Sequence, residues 1–300
     1  MTSPQRARAS LAPTSPNTTI GVLGAMQSEV MGLVAAMTVE DTGLTAGFQF
    51  WTGALAGRRV VVARCGMGKV SAAMGVQRLI DEWRVSCVVV CGLAGGLAPG
   101  LQVGDIVIGE TFVQHDLDAS PIYPRFQVPG LGIERFASPP DLVAAAEASA
   151  GEGARELGAG GGVPTPEGVG HATGPSAEIE GAMPPSSRPD VARDLVAKPL
   201  GSARGGAPAV HRGLIATGDQ FIKDEHRHSI LNDFPDALCV EMEGGAIAQV
   251  CHLNQVPFIV VRVISDTADG DAPADFTHFA DEVAPAYTVN IVRHLLPSLP

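Results

Sequence analysis

Residues Leu238–Asp269 read LCVEMEGGAIAQVCHLNQVPFIVVRVISDTAD. Two apolar runs, LCV and FIVVRVIS, flank a stretch, Gly244–Asn254, that reads as a helix. The second run is almost continuous Val and Ile, a pattern that suits a strand covered on both faces. Strand, helix and strand in that order make the unit of a sheet clad by helices on both sides. The charged residues fall where such a sheet presents its ligands. Glu241 and Glu243 close the first run, at i, i+2 and therefore on one face with Met242 opposite, while Arg262 lies inside the second and Asp266 opens the turn after it.

The same texture extends outward. TIGVLG (19–24), FQFWTGAL (48–55), RRVVVARC (58–65), CVVVCG (87–92), DIVIGETFV (105–113) and RGLIATG (212–218) read as further strands. Helical spacing appears over 28–37, 69–83 and 276–296, the last closing on Arg293 and His294 before Pro297. The fold class predicted is α/β, a three-layer αβα sandwich around a mixed sheet.

The chain has 300 residues, with 20 Lys plus Arg against 32 Asp plus Glu and a net charge of −12. That balance argues against a nucleic-acid or anionic-membrane partner. A hydrophobic fraction of 45% excludes wholesale disorder. The apolar stretch 85–101 is broken by four glycines and a proline, so no membrane span is expected. Residues 1–19 carry Arg6 and Arg8 without a following apolar segment and read as a disordered tail rather than a signal peptide. Residues 151–208 contain 13 Gly and 8 Pro and no Phe, Trp or Tyr, the composition of a flexible surface insertion within one domain spanning 20–300. Five cysteines without CxxC spacing read as buried, reduced thiols of a cytoplasmic protein.

Just past the strands, Glu29 stands in the first turn of a helix, where a carboxylate is favoured whether or not it has a catalytic role. The turns GMGKVSAAMG (66–75) and LAGGLAPG (93–100) let backbone amides approach a ligand. The first lacks the third glycine of a dinucleotide fingerprint, and Val70 follows Lys69 where a phosphate loop requires Ser or Thr. Two acids ending a buried strand are costly unless paired, and Arg262 calls for a carboxylate such as Glu29 or Glu243.

IGVLGAMQSEV, GMGKVSAAMG, GLAGGLAPGLQVGDIVIG, RGLIATGDQFI, the 234–269 stretch and the last helix together resemble, in order, the 5′-methylthioadenosine/S-adenosylhomocysteine nucleosidases of the nucleoside phosphorylase superfamily. The resemblance covers nearly all of the chain outside the tail and the insertion, and it implies a nucleoside phosphorylase-like sandwich that hydrolyses the N-glycosidic bond of 5′-modified adenosines. It implies Asp266 as the acid at adenine N7, oriented by Ser265, and Glu29 as the base at the attacking water. Glu243 would hold the ribose hydroxyls with Met242 against the sugar, Arg262 would fix the water and the carboxylates, and Phe221 and Ile222 would form the adenine pocket. Glu241 and Leu93 complete the expected substrate-binding set. The superfamily's phosphorylases carry Gly-Asp-Pro-x-Arg after the first strand and an Arg before the second glycine turn; Gly24-Ala25-Met26 and Val90 stand there instead, which favours water over phosphate.

This sequence departs from the family pattern at Leu93, where Ser is usual, and over 114–130, where Ile122, Tyr123 and Phe126 would line a 5′ pocket or a subunit contact. The resemblance further implies a homodimer, a cytoplasmic place in methionine salvage, and neither cofactor nor metal. Hydrolysis of another purine nucleoside (futalosine or adenosylhopane) and non-catalytic nucleoside binding are the competing readings. DEHRH (224–228) reads as a polar loop rather than a metal cluster, His115-Asp116 as a strand-end pair that orients loops or is merely structural, and Cys91 as core rather than nucleophile.

Overall fold

The computed structural model describes residues 18–158, 207–268, 279–280 and 284–300. In chain order these are β1 (Thr19–Gly24), α1 (Gln27–Ala36), β2 (Thr38–Thr45), β3 (Phe48–Leu55), β4 (Arg58–Arg64), α2 (Lys69–Trp83), β5 (Cys87–Gly96), β6 (Ile106–Gln114), β7 (Arg135–Ala137), α3 (Pro140–Gly158), β8 (Val210–Thr217), α4 (Asp224–Asp233), β9 (Ala237–Glu241), α5 (Gly244–Asn254), β10 (Phe258–Asp266) and α6 (Ala284–Leu295). A single 3₁₀ turn, Leu296–Ser298, follows α6.

The result is the αβα sandwich, and β5 is its axis. Alternation along β5 sends Val89 and Cys91 into a core shared with Val30 and Leu33 of α1 and with Tyr287 and Val292 of α6. Val88 and Val90 point the other way, towards Val76 and Leu79 of α2 and Ile247 and Cys251 of α5. A strand apolar at every position is thus covered on both faces, as the unbroken valine run requires. Strand β10 divides in the same manner, with Val261 and Val263 on one side and Val260 and Ile264 on the other.

The sheet is mixed. Strand β1 lies between β4 and β5, parallel to both, and β3 and β2 extend that wing antiparallel. On its other edge β5 pairs in parallel with β10, which continues through β6, β8 and β9 and back to the far end of β5. Five strands therefore close a ring, with the β1–β4–β3–β2 wing attached to it.

Several elements differ from the sequence expectations. Strand β2 (TVEDTGLT) is almost wholly exposed at the edge of the wing, so no apolar run announces it. DEHRH is not a loop but opens helix α4, which buries Ile230 at its far end. The largest correction concerns 151–208: α3 continues through Gly158, and Ala150, Ala154 and Leu157 extend the buried stripe begun by Leu142, Val143 and Ala146. Gly151 and Gly153 obscured this helix, yet a Cβ at Gly153 would meet Asn290 and Ile291 of α6 only at ordinary contact distance, so packing does not require glycine there. The rest of that expected insertion, 159–206, and residues 1–17 of the expected tail lie outside the described residues.

Because Leu157 is 3% exposed, Leu157→Ala is expected to destabilise the protein by about 2–3 kcal/mol. Urea unfolding checks this; an unchanged midpoint would return 151–158 to a loosely attached segment.

Candidate active site

One edge of β5 changes partner along its length. Strand β1 pairs with Cys87–Val90 and β9 with Gly95 and Gly96, so positions 91–94 have no strand against that edge among the described residues. The sheet splays there, at the carboxyl ends of β1, β9 and β10. A cavity of about 330 Å³ occupies the gap. Its walls are Ala25, Met26 and Glu29 after β1, Met67 from the first glycine turn, Leu93–Gly95 on β5, Gln220–Ile222 after β8, Val240–Glu243 around the end of β9, and Ser265 and Asp266 at the end of β10.

Glu29 is buried, and its Oε2 accepts the amides of Ala25 at 2.7 Å and Met26 at 2.9 Å while its Oε1 accepts that of Leu93 at 3.1 Å. It therefore caps the first turn of α1 and faces the cavity at once. Burial raises its pKa, opposed by the nearby Arg262 charge and by the three amides.

Arg262 is 1% exposed and lies under the cavity floor. Its Nη2 donates to Oε2 of Glu241 and, at 3.2 Å, to Oε2 of Glu243. Burial alone would lower the guanidinium pKa, but Glu241, Glu243 and Glu29 together raise it, so the cation is fixed. Gly92 makes the room: a Cβ there would sit 2.2 Å from Nη1 of Arg262 and 2.5 Å from Oε1 of Glu29.

The two glutamates of β9 are held differently. Glu241 also accepts the Thr217 hydroxyl and the amides of Glu243 (3.0 Å) and Gly244 (2.8 Å to Oε2), so both its oxygens are engaged by the protein. Glu243 accepts the Gly68 amide at 2.9 Å besides Arg262. Burial raises the Glu243 pKa against the pull of Arg262, with Glu241 and Glu29 adding to the rise. Strand β9 ends at Glu241, and the turn that follows brings Met242 into the same cavity wall as its two neighbours, not onto the opposite face that strand alternation predicts.

Asp266 is buried at the other end of the cavity, accepting Ser265 Oγ at 2.8 Å and the Ala268 amide at 2.9 Å. A Cβ on Gly95 would lie 3.0 Å from its Oδ1. Of the two lining residues after Gln220, Ile222 is buried and Phe221 is 44% exposed. Leu93 contributes its side chain to the wall and its amide to Glu29.

Nine of the ten expected site residues thus line the cavity, and the tenth, Arg262, is held behind it by Glu241 and Glu243. Ile122, Tyr123 and Phe126 do not line it: Ile122 is 82% exposed, and Phe126 packs edge-on against Phe234 with ring centroids 4.7 Å apart. In α4, Arg227 donates to the Leu97 carbonyl at 2.6 Å. The Cys91 thiol is pushed up to about 12 by burial and belongs to the core. The sequence reading missed Thr217 and Gly92, which touch site carboxylates or their partners, and Met26, Met67, Gln220 and Val240 in the walls. GMGKV was the legible clue, since its Gly68 amide reaches Glu243.

This arrangement agrees with what the chain is similar to. Residues 19–175 and 165–296 match the model of the phosphorylase superfamily. A 5′-methylthioadenosine/S-adenosylhomocysteine nucleosidase of Shewanella denitrificans is 34% identical over 87% of this chain and 91% of its own. The structure of the nucleosidase of that name from Neisseria meningitidis, in complex with methylthio-immucillin-A, superimposes with a TM-score of 0.73 at 33% identity, over 94% of this chain and 100% of the other. A futalosine hydrolase of Helicobacter pylori gives 0.71 at 25% identity, over 94% and 98% of the two chains. By sequence and fold alike, the chain belongs to the 5′-methylthioadenosine/S-adenosylhomocysteine nucleosidase family within the phosphorylase superfamily.

Proposed function

We propose that this chain hydrolyses the N-glycosidic bond of 5′-modified adenosines, methylthioadenosine and S-adenosylhomocysteine, giving adenine and the 5-thioribose product. The observation that carries the reading is the charge of the cavity. Glu29, Glu241, Glu243 and Asp266 line it, no Lys or Arg lines it among the described residues, and the guanidinium below is already paired. Such a site favours a cationic, oxocarbenium-like sugar and disfavours a phosphate dianion, so water is the nucleophile.

In this reading the C1′–N9 electron pair leaves with the base, and Asp266 delivers a proton to N7, with the Ser265 hydroxyl and the Ala268 amide orienting its carboxyl. Water attacks C1′ and gives its proton to Glu29, whose other hydrogen bonds aim it. Glu243 takes the ribose hydroxyls and Met242 packs on the sugar. Ile222 and Phe221 enclose the adenine, and Leu93 makes the wall near the nucleoside apolar. Glu241, already saturated, anchors Arg262 rather than the ligand.

We further propose a homodimer. Met67, Val70 and Met74 on and before α2, and Ile122 and Tyr123 in the 114–130 segment, are exposed apolar side chains that a second copy would cover. This would bring Ile122 and Tyr123 to a neighbouring cavity, whose 5′ end they would shape. The five buried free cysteines suit the cytoplasm, and the reaction suits methionine salvage.

Adenine release from methylthioadenosine, adenosylhomocysteine, adenosine and futalosine in phosphate-free buffer tests the reading by chromatography. Rapid release from the first two is expected; dependence on added phosphate, or preference for futalosine, would overturn it. Asp266→Asn is expected to lower kcat by roughly 10³-fold with an unchanged circular dichroism spectrum. Glu29 must be ionised to accept a proton, and burial raises its pKa above the ordinary 4.5. The acid limb of kcat/KM is therefore expected above pH 4.5, with activity rising with pH through it; a limb at or below the ordinary value would remove Glu29 as the base.

A further inference from the structure

Outside the cavity, three charged side chains meet at its rim. Lys69 Nζ lies 2.6 Å from Oδ1 of Asp116 and 3.8 Å from Oδ2 of Asp219. The backbone completes the circuit, because the Lys69 amide donates to Oδ1 of Asp219 at 2.8 Å and the Asp219 amide donates to Oδ2 of Asp116 at 2.9 Å. Gly68, at φ 92°, has its Cβ position 3.1 Å from Oδ1 of Asp219, so a side chain there would press on the same contact.

The segments these residues belong to carry different parts of the cavity lining. Lys69 follows Gly68, whose amide holds Glu243 at 2.9 Å. Asp219 precedes Gln220–Ile222, which belong to the lining as well. Asp116 follows β6, which pairs with β8 up to Thr217, so it supplies a fixed post. The start of α2 thus receives two carboxylates on consecutive amides: Glu243 at Gly68 and Asp219 at Lys69. One lines the cavity and the other belongs to the loop that carries Gln220–Ile222. The lysine side chain is 18% exposed and that of Asp116 24%, sheltered enough for the pair to hold a fixed geometry. Burial would raise the Asp116 pKa, but the Lys69 ammonium and the Asp219 amide more than offset it and hold the carboxyl below its ordinary value.

We propose that Lys69, Asp116 and Asp219 form a positioning brace that sets the spacing between the Gln220–Ile222 wall and the Glu243 carboxylate, and so aligns base and sugar without touching either. The alignment part of this rests on the nucleosidase reading of the cavity; the brace itself does not. A purine held by one wall and a ribose held by the other react only at one relative placement, and a shift of a fraction of an ångström is enough to slow the reaction.

The test uses the full chain, with Lys69→Met, Asp116→Asn and the conservative Lys69→Arg. Amide hydrogen exchange is measured over 218–222 and at Lys69, alongside KM, kcat, adenine inhibition and Tm. Loss of the ammonium in Lys69→Met is expected to speed exchange in 218–222 while the β5 and β10 amides stay protected. KM for methylthioadenosine and the inhibition constant for adenine are expected to rise together by about tenfold, with kcat also reduced. Asp116→Asn is expected to act in the same direction, Lys69→Arg to restore most of the loss, and Tm to move by a few degrees at most. Unchanged exchange over 218–222 in both Lys69→Met and Asp116→Asn overturns the brace, whether or not the wild-type chain is active. Faster exchange with unaltered KM and adenine inhibition overturns its role in alignment. A wild-type chain that releases no adenine would strike the nucleosidase reading and with it the alignment role, while the exchange data still decide whether the brace exists.

Discussion

The buried guanidinium of Arg262 is the constraint around which the site is organised. Three glutamates surround it, and a carboxylate group inside a protein is tolerated only when paired or richly hydrogen-bonded. Arg262 offsets the charges of Glu241 and Glu243, and the amides of Ala25, Met26 and Leu93 satisfy Glu29. The glycine at position 92 follows from this, since any side chain there would displace both Arg262 and Glu29. An acidic cavity is possible here because a cation is sealed beneath it.

The cavity itself follows from the sheet. Strand β5 is longer than either neighbour on its one edge, so β1 borders its beginning and β9 its end. The gap between them exposes backbone that would otherwise be tied into the sheet, and Leu93 gives its amide to Glu29 from there. Closure of the ring through β10, β6, β8 and β9 brings the ends of β8, β9 and β10 to that gap. Residues distant in the chain, Glu29 and Asp266 among them, become two walls of one space.

Much of this was legible in the sequence for definite reasons. Unbroken Val and Ile runs require cover on both faces, and charges at their ends mark the open end of the sheet, which is why Glu241, Glu243, Arg262 and Asp266 could be named from pattern alone. Other features leave no such trace. Strand β2 is exposed and polar, and α3 beyond Ala150 is rich in glycine while still burying Ala154 and Leu157. Thr217 supports Glu241 from a different strand, a contact that no local pattern encodes. Met242 turned inward because the strand stops at Glu241, and period-two reasoning fails once the strand ends.

The junction between α3 and β8 has a consequence of its own. Helix α3 ends at Gly158, and β8 begins at Val210, beside Ile106 at the start of β6. The cavity lies past the opposite end of β8, beyond Thr217, roughly 20 Å further along the strand. The chain therefore enters β8 at the pole remote from the reacting groups. Strand β8 works as a spacer, holding its own point of entry into the sheet and the reacting groups at opposite poles of the domain.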